Sequence, residues 1–324
     1  MVAGGWVLAR RSVSRTSAKV SPAHGTLTVR ALLALAACFF IRAPADASEP
    51  CQSDFPFGPP VEIAVPTGDR VSLCQRSRDG SIEFFSSRYD RSRVAADWTA
   101  YRLTRDRLLL GAANEIVRDQ QGVLFAPDPL IETQGFKSPS HASFNGIGNL
   151  RPPFDRGHLL PAEAFKWNLE AYQRTFIVSN IAVQAAWFNQ QLWQDVEAQV
   201  RGWACEHRSV FVVTGVIHGF GQSTFPLRGR QDVSWIPTHF YTLAYSPTDG
   251  GHAVAIVFPN FTPEPDERSI AVKAGVVTVD ALEAMTGLDF FPEMPAAEQS
   301  RIESEGADVL AWHFDVPRRF QCAA

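Results

Sequence analysis

The sequence predicts an α+β fold, a central antiparallel sheet flanked by helices, on three observations. Segments 81–86 and 95–103 alternate polar with aromatic or aliphatic residues, the period of a half-buried strand. Residues 210–216 form a β-branched apolar run, and 235–245 and 252–258 read as two further strands, antiparallel across the Ser246–Gly251 turn. Helical spacing recurs at 189–201 and at 278–285, where Val279, Leu282 and Met285 share a face. The chain has 324 residues and is 45% hydrophobic and 20% charged, an ordinary globular composition with enough length for a large core.

The first 47 residues do not share that composition. Arg10, Arg11, Arg15, Lys19 and Arg30 precede the apolar run 31–41, and Ala45-Asp46-Ala47 offers a small-residue cleavage point before Ser48. This predicts a secretory signal over 1–47, a single domain over 48–324, and a secreted or periplasmic product. The apolar run is too short to cross a bilayer, so no stable membrane span is expected. Leu35-Ala36-Ala37-Cys38 resembles a lipobox. The run continues past Cys38 through Ile41, which favours cleavage near Ala47/Ser48 over lipidation at Cys38.

Removing 1–47 takes away six Lys/Arg and one Asp, leaving 24 basic and 33 acidic residues and a net charge of −9. A polyanion-binding surface must then be local, and Arg88, Arg91, Arg93, Arg102, Arg105 and Arg107 are the densest basic cluster. Cys51, Cys74, Cys205 and Cys322 remain, an even number after an export signal, which predicts disulfides. Of the three connectivities, Cys51–Cys74 and Cys205–Cys322 are favoured. No cysteine has metal-ligand spacing, which argues against a zinc site.

Within the domain, 61–65 and 70–74 read as short strands around Gly68-Asp69. Residues 111–153 are rich in Gly, Pro, Asn and Ser without a sustained period, a long loop of the kind that carries function. Segment 295–311 is polar and helix-prone. His218 and His252 fall at strand ends and read as solvated.

The chemistry concentrates between 154 and 201. Phe154-Asp155-Arg156-Gly157-His158 places a cation two residues before a histidine, the side chain whose ordinary pKa suits a base near neutral pH. Asn189, Trp193, Glu197 and Arg201 recur every four residues, so one helix would align an amide oxygen, a carboxylate and a guanidinium. A hard cation such as Mg²⁺ takes oxygen ligands and keeps several waters, so Asn189 with Glu197 suffices as a protein contribution.

Asp-Arg-Gly-His, Ser179-Asn180-Ile181-Ala182-Val183-Gln184 and Asn189-Gln190-Gln191-Leu192-Trp193 with Glu197 occur in the order found in the DNA/RNA non-specific endonucleases. Segments 96–104 and 286–292 agree as well, so the chain resembles that family of ββα-metal nucleases, which has endonuclease G-like and secreted bacterial members, over roughly 80–300. The resemblance implies a ββα-metal motif of two strands and the Asn189 helix, and Mg²⁺-dependent hydrolysis of DNA and RNA, with Mn²⁺ as the substitute. It implies His158 as general base, Asn189 as metal ligand and Glu197 at the metal's water shell. Arg156 and Arg201 would hold phosphate, Asn180 would orient His158 or a phosphate, and Arg102 would add a substrate contact. Asp155 reads as structural. Secreted members carry a further arginine near an aromatic-x-x-Asp-Pro stretch. Here that stretch is Phe125-Ala126-Pro127-Asp128-Pro129 and lacks it, leaving Arg118 or Lys137 as stand-ins. A homodimer and a dedicated inhibitor protein stay open as partners. The rival readings are a phosphodiesterase for smaller nucleotides and a non-catalytic nucleic-acid-binding protein on the same scaffold.

Overall fold

The computed structural model describes residues 49–63, 69–219, 234–263, 270–306, 312–317, 320 and 322. The expected signal, 1–47, lies outside the described residues.

The strands expected from alternation form one seven-stranded antiparallel sheet. In chain order the described elements are β1 (Val61–Glu62), β2 (Arg70–Arg76), β3 (Glu83–Asp90), β4 (Ala95–Thr104), α1 (Arg105–Ala113), α2 (Arg118–Gln121), α3 (Pro129–Thr133), β5 (Phe154–His158), α4 (Leu169–Arg174), β6 (Ile181–Ala185), α5 (Ala186–Gln190), α6 (Leu192–Glu206), β7 (Ser209–Ile217), β8 (His239–Ser246), β9 (His252–Pro259), β10 (Val276–Val277), α7 (Val279–Thr286), β11 (Leu288–Asp289) and α8 (Ala296–Glu303). The large sheet runs β10-β9-β8-β7-β4-β3-β2. The expected hairpin between 61–65 and 70–74 does not form in the described part. Val61 and Glu62 pair instead with Asp289 and Leu288 of β11.

Alternation along β4 divides the protein into two layers. Tyr101 and Leu103 face the core that contains Leu192, Trp193, Val196, Val200 and Trp203 of α6. Trp98 and Ala100 face the opposite core, with Val279 and Leu282 of α7 and Ile302 of α8. Each fully buried aliphatic side chain of α6 contributes about 1.5–3 kcal/mol, so the sheet anchors that helix firmly.

A separate hairpin, β5 paired antiparallel with β6, stands on a third cluster that includes Phe125, Phe144, Phe176, Ile181 and Val183. Both favoured disulfides are present, Cys51–Cys74 and Cys205–Cys322. Among the described residues no helix is long and apolar enough to cross a membrane.

Candidate active site

The hairpin β5–β6 presents Asp-Arg-Gly-His as a strand. Its pairing puts His158 opposite Ile181, Arg156 opposite Val183, and Asp155 opposite Gln184. Successive residues point to opposite faces, so His158 and Arg156 share one face and Asp155 and Gly157 the other. The glycine is required by packing: a Cβ there would collide with the fully buried Gln184 side chain.

The irregular segment before the hairpin supplies the ring on which the first face is built. Asp128 is buried and caps α3 through Leu130 N at 2.9 Å. It also accepts from Gln75 Nε2 at 2.9 Å and from Ser179 Oγ, tying the loop to β2 and to the turn before β6. Backbone bonds from Ala126 N to Phe176 O and from Val178 N to Ala126 O, 3.1 and 3.0 Å, complete the seam. Phe125 is thereby fixed with its centroid 5.5 Å from His158, and Phe176 lies 4.9 Å from the same imidazole, edge to face.

Two guanidiniums lie on these rings. Arg156 lies 5.1 Å from the Phe125 centroid, and Arg118 lies 5.0 Å from Phe125 and 4.8 Å from Phe176. Burial first, and then the Arg118 charge, push the His158 pKa down to about 3. The imidazole is therefore neutral at physiological pH, and its Nε2 makes no hydrogen bond to the described protein. Of the two candidate stand-ins, Arg118 is the one that lies beside the histidine, a position on Phe125 that could not be read from spacing. Lys137 is an exposed residue after α3.

Asn189 sits on α5 and donates Nδ2 to Asp155 Oδ2 at 2.9 Å, and Gln190 Nε2 donates to the same oxygen at 2.8 Å. An amide that donates in this way keeps its Oδ1 as an acceptor. Asp155, read from sequence as merely holding a turn, is the group that sets the Asn189 orientation.

The single helix expected over 189–201 is two helices. Gln191 (φ −124°, ψ −90°) breaks it, so Asn189 belongs to α5 while Trp193, Glu197 and Arg201 belong to α6. Trp193 is core, packed 5.4 Å from Phe188 and 5.5 Å from Phe240. Glu197 is half-buried. Burial pushes its carboxyl up to about 7, with the Arg201 charge opposing and Glu163 adding to the shift.

Three expectations are corrected. Asn180 is fully buried, and its side chain is spent on the backbone. Oδ1 accepts from Leu160 N at 2.9 Å, and Nδ2 donates to Leu160 O at 3.0 Å and to Thr175 O at 2.8 Å. It clamps the segment after His158 and neither bonds the imidazole nor offers itself to a phosphate. Arg102 points to the far face of β4 from Tyr101. There it bonds Ser209 Oγ at 3.0 Å and lies 5.3 Å from the Phe211 ring, so it is not a substrate contact at this site. Half of the basic cluster is ion-paired: Arg88 meets Glu62 at 3.5 Å, Arg91 meets Asp69 at 2.9 Å and Arg93 meets Asp90 at 2.9 Å. The two strand-end histidines also differ from expectation. His252 meets Glu305 at 3.2 Å, and burial pushes the His218 pKa down to about 4.

Asn189 offers a carbonyl oxygen whose amide nitrogen is already engaged, and Glu197 offers a half-buried carboxylate that a nearby cation would ionise; both are donor types that suit a hard divalent cation.

Comparisons with known proteins bear on the family and the fold. The family model described as DNA/RNA non-specific endonuclease matches residues 73–297. The chain is 27% identical to the mitochondrial Endonuclease G of Homo sapiens over 217 residues, 64% of this chain and 67% of that protein. It is 26% identical to a nuclease of Nostoc sp., covering 67% of this chain and 74% of the relative. A solved EndoG/EndoGI complex aligns with a TM-score of 0.54 at 23% identity, covering 73% of this chain and 91% of the other. The chain belongs to the DNA/RNA non-specific endonuclease family and has its ββα-metal fold.

Proposed function

We propose that this endonuclease is exported and cuts DNA and RNA without sequence specificity, using a divalent cation, Mg²⁺ with Mn²⁺ as the substitute. The observation that carries the reading is the His158 imidazole packed on Phe125, the ring that also carries the Arg118 and Arg156 guanidiniums, with Asn189 turned by Asp155 on the adjoining helix. Two disulfides and the signal-like N-terminal segment support export.

Hydrolysis of a phosphodiester breaks the P–O3′ bond, adds water at phosphorus and leaves a 5′-phosphate. His158 takes the water's proton as the P–O bond forms, and the departing O3′ gains a proton from solvent. A half-buried imidazole with a shielded Nε2 beside a guanidinium is a weak base on its own. An anionic phosphate seated on Arg118 and Arg156 offsets both positive charges and raises the imidazole's basicity when substrate is present. The guanidiniums hold non-bridging oxygens in two-pronged contacts, and Arg201 acts likewise from α6. A bound cation would be held by Asn189 and, through its waters, by Glu197, and would neutralise charge developing on phosphate and leaving oxygen. Asp155 and Asn180 are positioning residues, one for the Asn189 amide and one for the strand end that carries His158.

The test is degradation of supercoiled plasmid and of RNA by the purified protein, with Mg²⁺ and with EDTA, beside His158→Ala. Activity lost in EDTA and in the variant is expected. Wild-type protein that leaves both polymers intact with Mg²⁺ and Mn²⁺ overturns the reading in favour of small phosphodiesters.

A further inference from the structure

Residues after 297 lie outside the family match, and the described part of this tail is fastened along α6. Trp312 packs 4.9 Å from Trp203 and 4.9 Å from His207, and Phe314 packs 5.5 Å from Trp203. The Trp203 indole donates to His313 O at 2.8 Å, and Val316 N donates to Gln199 Oε1 at 3.3 Å. Val316 fits against Gly202, where a Cβ would come within 2.5 Å of its Cγ2. Cys322 is bonded to Cys205 near the end of α6.

This strap delivers Phe320 to the wall of a cavity of about 520 Å³. The same cavity is lined by Leu108, Ile116 and Val117, by the Glu163–Lys166 ion pair (2.8 Å), and by Arg201. Arg201 is one turn from Glu197 on α6 and is the positive charge that its carboxylate senses. The cavity therefore meets the candidate site through Arg201, and through Glu163, whose charge Glu197 also senses. Its chemistry differs from that of the cleft around Phe125. Lys166 is neutralised by Glu163, Glu115 adds a second carboxylate, and Leu108, Ile116, Val117 and Phe320 set apolar surface among these polar groups. A run of phosphates would find little here, whereas a flat base with polar edges would find a ring, apolar walls and hydrogen-bonding groups.

We propose that this cavity receives the base of a nucleotide flanking the phosphate held by Arg201, with Phe320 as the ring on which that base stacks. The inference rests on the nuclease reading and deepens it: Phe320, from beyond the family-matched region, adds the stacking ring to a cavity otherwise lined by residues within that region. The base is read through its π-face, so the subsite strengthens binding without imposing a sequence.

The experiment compares wild type, F320A and F320Y on a single-stranded oligodeoxynucleotide and on the same backbone carrying tetrahydrofuran spacers in place of bases. The expected result for F320A is a KM about tenfold higher on the base-bearing strand, an unchanged KM on the spacer strand, and restoration by F320Y. An unchanged KM in F320A on the base-bearing strand overturns the subsite. So does an equal rise on both strands, which would mean that the residue acts only through the seating of α6. Wild-type protein that cleaves neither strand overturns instead the nuclease reading beneath it.

Discussion

Asn189 donates its side-chain amide to Asp155, 2.9 Å away and 34 residues earlier, and so binds the first turn after β6 to the strand that carries His158. Asp155→Ala frees that amide to rotate. Divalent-ion affinity is expected to fall about 10–100-fold, the range for lost outer-shell partners. A Mg²⁺ titration of activity measures it, and the deficit should shrink at high Mg²⁺. A loss that no Mg²⁺ concentration relieves would give Asp155 a different role.

His158→Ala removes the base while leaving Phe125 and Phe176 in contact. Turnover should fall about 10²–10⁴-fold with little change in KM. Circular dichroism should show an unchanged fold. A variant retaining more than a tenth of wild-type turnover would mean that another group accepts the proton.

Gly157→Ala drives a methyl into the Gln184 side chain, whose amide atoms make no hydrogen bond among the described residues. The cost should be about 1–3 kcal/mol in urea unfolding. Gln184→Ala in the same chain should return part of that stability, because the two side chains share one space. Strict additivity in the double variant would show that the strain lies elsewhere.

Burial pushes Glu283 up to about 7, against its bond from Phe290 N, and Glu303, Asp289 and Asp280 add to the shift. The folded chain holds a proton that the unfolded chain releases from about 4.5 upward. Stability from this group is therefore lost as pH rises from about 4.5 to about 7. Glu283→Gln keeps an oxygen for Phe290 N and removes the titration. Its melting temperature at pH 8 should exceed wild type by about 2–4 °C, for roughly 1 kcal/mol after allowing for partial exposure, and the two should converge near pH 4. Parallel melting curves across pH would disprove the assignment.

Replacing Cys205 and Cys322 with serine opens a link across 117 residues and should cost about 2–5 kcal/mol. Tail cleavage under limited proteolysis should quicken before the core unfolds. Equal protection of the tail in both proteins would show that Trp312 and Phe314 hold it unaided.

Periodicity revealed the sheet because a strand with one apolar and one polar face writes its geometry into every second residue, as in 95–103. The cysteine pairs were legible because setting aside the signal-like segment 1–47 left four cysteines, an even number with three possible connectivities. The pairing of Val61 with Asp289 was not, since two residues carry no register information and their mate is more than 200 positions away. Asn189 and Glu197 stood eight apart, a spacing that fits a continuous helix, yet the break at Gln191 is a backbone event with no proline or glycine to announce it. Arg102 looked like a site residue because strand face depends on register, and that became fixed only when Tyr101 was seen against the α6 core. Arg118 was recognisable as a cation but not as a neighbour of His158, because a long, mostly irregular stretch with two short helices separates them. Asn180 was placed correctly beside the histidine and misread in role, since an amide pattern does not say whether its partners are backbone or ligand.

The interruption at Gln191 lets the two halves of the cleft diverge independently. Asn189 answers to β5 through Asp155, whereas Glu197 and Arg201 answer to the large sheet and the disulfide-bound tail. Substitutions in the tail can thus alter the surroundings of Arg201 without disturbing the strand that carries His158, and changes in the hairpin can shift Asn189 and His158 while α6 stays fixed. Two separately adjustable modules allow a degradative enzyme to shift its diet in small steps, with bond cleavage intact at each one.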